Sequence, residues 1–263
     1  MQQALLEVLS VRAQLIAVLV ALLVVISVPA CFAQGWDGGG YLWGAQDAQQ
    51  APTQSWFGGT GMIVIPTARA LPPQKLNAHF HTINVEGKDD WEDVWGLTTS
   101  LYPGLEAGIT NLGQAFTGGD EDELVYHAKY AANLDDLLKL GPESPDIGIG
   151  GRDITDEVGE AYYVVFSKDF MVGEAGGKSV GVSLGVGNAE GNNVPLDGVF
   201  CGVDFTPFDF ARMQVEYDSE NINSSLRYWW SDWAVTEIGV LDGQLAAGAT
   251  LYIHARKLPL EET

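Results

Sequence analysis

The chain is short of cysteine, of basic residues and of long apolar runs, and each shortage closes off a class of protein. Of two cysteines in 263 residues, Cys31 lies in an amino-terminal leader. Cys201 is then left alone, and no disulfide within the mature chain is available. Thirteen bases face 35 acids, a net charge of −22. Such a chain repels nucleic acid and anionic lipid surfaces, so neither is expected as an electrostatic partner. The longest uncharged apolar run, Leu15 to Val28, has fourteen residues, short of the roughly 20 that a spanning helix requires. No Gly-x-Ser-x-Gly elbow, HExxH pair or phosphate-cradling loop occurs, and no enzyme is expected.

Residues 1–33 read as a signal peptide. Arg12 supplies the basic start, Leu15 to Val28 the apolar centre, and Cys31 and Ala33 the small residues before a cut near Ala33. Alternatively, Val28-Pro29-Ala30-Cys31 is a lipobox and Cys31 carries lipid. The protein is exported in either case. An uncleaved anchor is the third possibility. Residues 34–56 are rich in Gly, Gln and Ala without periodicity and read as a flexible leader.

What the chain does have is alternation with a period of two. In Ser179 to Val186 the residues Val180, Val182, Leu184 and Val186 take one side of an extended strand, and Ser179, Gly181, Ser183 and Gly185 take the other. The pattern recurs with Ala211, Met213, Val215 and Tyr217 against Arg212, Gln214, Glu216 and Asp218. It returns with Leu76, Ala78 and Phe80 against Asn77, His79 and His81, and with Leu124, Tyr126, Ala128 and Tyr130 against Val125, His127 and Lys129. About twelve such strands follow residue 74. The spacing predicts an all-β fold, an antiparallel up-and-down β-barrel of about 12 strands of the outer-membrane type, over residues 57–255, with a polar tail at 256–263. Asn133 to Leu140 predicts a short helix in a loop, capped by Asn133 and stopped by Gly141-Pro142. Tyr102, Phe205, Tyr217, Trp230, Trp233 and Tyr252 fall at strand ends, where membrane barrels carry aromatic girdles.

Phe57 to Arg69 is a turn, a short β-branched run and a stop. Gly58, Gly59, Thr60, Gly61, Ile63, Pro66, Thr67, Ala68, Arg69 and Leu71 resemble the opening of the YjbH-like family. Those are exported outer-membrane β-barrel proteins associated with exopolysaccharide production. The resemblance implies a role in exopolysaccharide synthesis, export or surface attachment, with outer-membrane lipid, polysaccharide and other exopolysaccharide-export proteins as partners. Whether this stretch forms a barrel strand or folds into the lumen is open.

Asn77, His79, His81, Glu106, Arg212, Gln214, Glu216, Asn223, Ser225 and Arg227 project to the polar side of their strands and would line a lumen. That interior is either an open channel, through which sugar chains pass or in which they bind, or a filled one, because about eight strands fill their interior and about sixteen leave a channel. His79 and His81 share a face as metal ligands do, but with Asn77 beside them a wetted wall accounts for all three; no metal or other cofactor is expected. Glu106, Asp204 and Glu216 are acids among many and make no glycosidase. Gly118-Gly119-Asp120-Glu121 matches the diguanylate cyclase signature without the α/β context that enzyme needs, and reads as an acidic loop. Two rivals remain: a soluble secreted β-sandwich or barrel binding carbohydrate or a partner protein, and a hydrolase.

Overall fold

A computed structural model describes residues 53–73, 75–84, 91–117, 122–141, 143–172, 178–190, 195–208, 210–231 and 233–254. The expected signal peptide, most of the expected leader, the Gly118 to Glu121 stretch and the expected polar tail lie outside the described residues.

Twelve antiparallel strands form one closed barrel. In chain order they are β1 (Lys75–Asn84), β2 (Trp91–Tyr102), β3 (Leu105–Leu112), β4 (Glu123–Asn133), β5 (Asp146–Arg152) and β6 (Ala161–Val172). They continue as β7 (Lys178–Ala189), β8 (Gly198–Phe208), β9 (Ala211–Tyr217), β10 (Ile222–Ser231), β11 (Ala234–Leu241) and β12 (Gln244–His254). Each strand pairs with its sequence neighbours, and β1 pairs with β12 from Lys75↔His254 to Ile83↔Ala246. Closure leaves no edge unpaired. Short turns set the register: Asp242-Gly243 joins β11 to β12 with φ of 49° and 75°, the left-handed pair that a tight hairpin demands.

Polarity is inverted relative to a water-soluble barrel. Phe80, Trp95, Leu97, Tyr126, Ile149, Phe166, Met213, Val215, Leu226, Ile238 and Leu251 are exposed on the outer wall. Asn77, His79, Thr98, Glu106, Lys129, Arg152, Asp204, Glu216 and Arg227 are buried inside. Oily side chains outside would cost free energy in water at every strand, whereas in hydrocarbon the same arrangement is the stable one.

Aromatics expected at strand ends divide. Tyr102, Trp230 and Trp233 are exposed at the rim where β2 ends and β11 begins. Tyr252 instead points inward and packs with Leu71, Trp229 and Val235, because its position on β12 has the same parity as the inward Thr250. The expected loop helix is present over Leu134–Leu138, with the Asn133 side chain accepting from the Asp135 amide. It stops at Lys139, whose φ of 56° ends the helix before Gly141-Pro142 is reached.

Candidate functional site: the occupied lumen

Twelve strands spaced about 4.8 Å apart and tilted about 40° enclose about 24 Å between opposing backbones. Inward side chains take roughly half of that, leaving room for one compact loop of chain. Residues 53–71 occupy this space. Almost all are buried, among them Thr53, Gln54, Ser55 and Trp56. Residues 53–56, assigned to the leader from sequence, belong instead to this buried segment, and the stretch from 57 to 73 contributes no strand to the wall.

The segment folds on itself before it meets the wall. Isolated bridges link Gln54 with Thr60 and Gly61 with Pro66. The amide of Trp56 donates to the Ile63 carbonyl at 2.8 Å, and that of Met62 to the Ile65 carbonyl at 2.9 Å. Gly58 and Gly59 make the turn at φ of 95° and 74°. A Cβ on Gly58 would run into His127 and Thr110, so conformation and space both require glycine there.

Only a few of the segment's backbone groups find partners within it, and a buried orphan is costly. Charged wall residues supply the rest. Glu216 accepts from the amides of Ile63 at 2.9 Å and Val64 at 2.6 Å, with Ile65 at 3.3 Å. Glu106 accepts from the amides of Thr60 at 2.7 Å and Leu71 at 3.1 Å. Cations take the carbonyls. Lys129 donates to Thr60 O at 2.7 Å and Thr67 O at 2.9 Å, and Arg152 to Val64 O at 2.7 Å. Arg227 donates to Gln54 O at 2.8 Å and Met62 O at 2.6 Å.

The anchors are themselves paired. Lys129 Nζ lies 3.1 Å from Glu106, and Arg227 Nε 3.1 Å from Glu237. The indole of Trp56 donates to Glu237 at 3.1 Å and stacks on His81 at 4.4 Å between ring centroids. Arg69 forms an ion pair with Asp169 and approaches Asp204 at 3.6 Å, with Arg212 on the far side of Asp204. The Ala68 amide reaches Ser167 Oγ at 2.8 Å. Apolar side chains fill the two ends. Trp56, Phe57, Ile63 and Val64 pack with Ile83, Val94, Leu112, Val125 and Leu241, and Leu71 closes the other end with Trp229 and Tyr252.

The residues assigned to the wall from sequence, Asn77, His79, His81, Glu106, Arg212, Gln214, Glu216, Asn223 and Arg227, are all inward and buried. They face the chain's own segment rather than an open bore. Asn77 donates to Gln54 at 2.5 Å, and Asn223 holds Glu216 and Asp218. Gly58, Gly59, Thr60, Gly61, Pro66, Thr67, Ala68 and Arg69 form the turns and anchoring points of the seated segment. Lys129, Arg152, Ser167, Asp169 and Glu237 went unassigned in the sequence. The polar parity of β4, which carries His127 and Lys129, was the available signal. Among the described residues, no three His, Cys, Asp or Glu side chains stand close enough together to hold a metal ion.

No protein-family model matches the chain, and the comparison with curated proteins gives no match. Among solved structures it is similar to the KdgM porin, at 13% identity and a TM-score of 0.44, over 68% of this chain and 99% of that one. The KdgM porin in complex with disordered oligogalacturonate is similar at 13% identity and a TM-score of 0.43, with the same coverage. An outer membrane channel from Pseudomonas putida F1 is similar at 9% identity and a TM-score of 0.37, over 71% of this chain and 98% of that one.

Proposed function

We propose that the chain is a porin-like barrel of the bacterial outer membrane whose lumen is stoppered by its own residues 53–71, and that it serves exopolysaccharide export or attachment without catalysing a reaction. The observation that carries the membrane reading is the inversion of polarity, with Phe80, Trp95, Val215 and Leu226 exposed while Glu106, Lys129, Glu216 and Arg227 are buried. The exopolysaccharide role rests on the likeness of Gly58 to Leu71 to the YjbH-like opening. It gains weight because those residues are the ones that seat the stopper. A passive role is supported by Glu106 and Glu216, the acids a hydrolase would need: each is saturated by segment amides.

In this reading the resting barrel is shut, and passage of a sugar chain requires the segment to leave. Membrane fractionation with planar-bilayer recording tests it. The protein should need detergent for extraction, and the intact chain should conduct little until residues 53–71 are excised. Free release into the periplasm would overturn the membrane assignment. A large steady conductance from the intact chain would overturn the stopper.

A further inference from the structure

The loop between β4 and β5 carries a short helix that buries none of its own residues. Leu137, Leu138 and Leu140 are exposed by 53%, 61% and 63%, as much as outer-wall residues such as Ile149 at 56%. Five helical residues with no packing are too few to hold themselves together in water. Even so, the loop is built. Asn133 caps the helix and bonds Asp146 at 2.8 Å, the Gly141 amide reaches Asp135 at 2.7 Å, and Ser144 closes on Gly141 at 2.7 Å. It also leans outward. Glu143 is gripped by Lys168, an outward residue of β6, at 3.0 Å, so the loop lies beside the wall rather than beneath the lumen.

The rest of that rim explains what it meets. Tyr102, Phe208, Phe210, Tyr228, Trp230 and Trp233 are exposed there and form an arc from β8 round to β11, continued on β2. Neighbours within it touch, with Phe208–Phe210 at 5.3 Å and Tyr228–Trp230 at 4.7 Å between centroids. On β4 the exposed Tyr130 stands level with Tyr102, both paired across to Leu105, and the leucine loop follows directly after it.

We propose that Leu137, Leu138 and Leu140 form a foot that inserts into the lipid at the boundary between headgroups and acyl chains, extending the girdle outward from Tyr130. The occupant is the bilayer itself because the leucines continue the apolar belt through Tyr130 and Ile149, and because Asp135 and Asp136 leave the helix no cationic face for an anionic partner. A leucine at that depth gains burial as the aromatics do.

This inference rests on the membrane reading above, and one experiment separates the two. The full chain, with Cys31→Ser and Cys201→Ser, receives Leu138→Cys, Asp136→Cys or Leu226→Cys, each labelled with the fluorophore NBD. The variants are reconstituted in phosphatidylethanolamine-rich vesicles, with or without phospholipid brominated near the headgroup for the Leu138 and Asp136 labels and deep in the acyl chain for the Leu226 label. Leu226 is an exposed mid-wall site on β10 and reports the barrel's own contact with lipid. The foot requires that bromine lower the Leu138 label's emission by about half, as for a group lying in the interface, and leave the Asp136 label unchanged. Quenching at Leu226 with none at Leu138 would remove the foot and spare the barrel. No quenching at either site would remove both. A blue-shifted Leu138 label that bromine leaves bright would assign the leucines to a protein contact instead, and would equally overturn the proposal.

Discussion

Glu106 and Lys129 are register partners across β3 and β4, and their side chains meet at 3.1 Å with almost no solvent exposure on either. Thr60 completes the pair, giving its amide to the acid and its carbonyl to the base. Either Glu106→Gln or Lys129→Met alone should cost about 3–5 kcal/mol, because each leaves a buried charge without its partner. The double variant should cost clearly less than the sum, which urea unfolding in lipid vesicles can measure. Strict additivity would mean that the two groups do not act as a pair.

Glu216 holds a turn of the segment by three consecutive amides. Hydrogen bonds to a charged acceptor contribute about 1.5–3 kcal/mol each, more than neutral ones. Glu216→Gln keeps the shape and removes the charge. Amide exchange at Ile63 to Ile65 should then accelerate by about ten- to a hundredfold, at about 1.4 kcal/mol per factor of ten. Exchange rates that stay at the wild-type value would show that the acid does not seat the turn.

Gly58 and Gly243 both have positive φ, but a side chain at Gly243 meets nothing within 4 Å whereas one at Gly58 strikes His127 and Thr110. Gly243→Ala should cost about 1 kcal/mol, from backbone conformation alone. Gly58→Ala should cost at least about 2 kcal/mol more, since it adds overpacking in a filled interior. Thermal unfolding of the two variants side by side decides it, and equal shifts would argue against a tightly seated turn.

Position on the outer wall should set the cost of a charge. Leu226→Lys, in the middle of β10, is expected to destabilise by about 2–4 kcal/mol, against about 0–1 for Trp230→Lys near the rim. Reversible urea unfolding from vesicles provides the comparison. In a water-soluble barrel both changes would be nearly neutral.

Strand faces were readable because alternation is local: Asn77, His79 and His81 point inward for the same reason that Ala78 and Phe80 do not. The aromatic at position 252 was harder, since proximity to a strand end says nothing about which side the parity selects. The segment from Thr53 to Leu71 left no periodic trace at all. Its backbone partners are side chains 35 to 173 residues away, and no neighbour-to-neighbour rule reaches that far. Glycines, a β-branched run and Pro66 were visible as a turn and a stop. That the stop ends inside the barrel became evident only once Glu106, Glu216 and Arg227 were seen turned toward it.

The seam of the ring carries a consequence for assembly. The first stave, β1, has the last one, β12, as its second neighbour, so the cylinder cannot shut until the final strand has been made. Residues 53–71 lead directly into that first stave. The cork must therefore be in place while the sheet is still an open curl, or else be threaded afterwards through a finished mouth. The ionic contacts that seat it thus belong to the order of construction as much as to the completed wall.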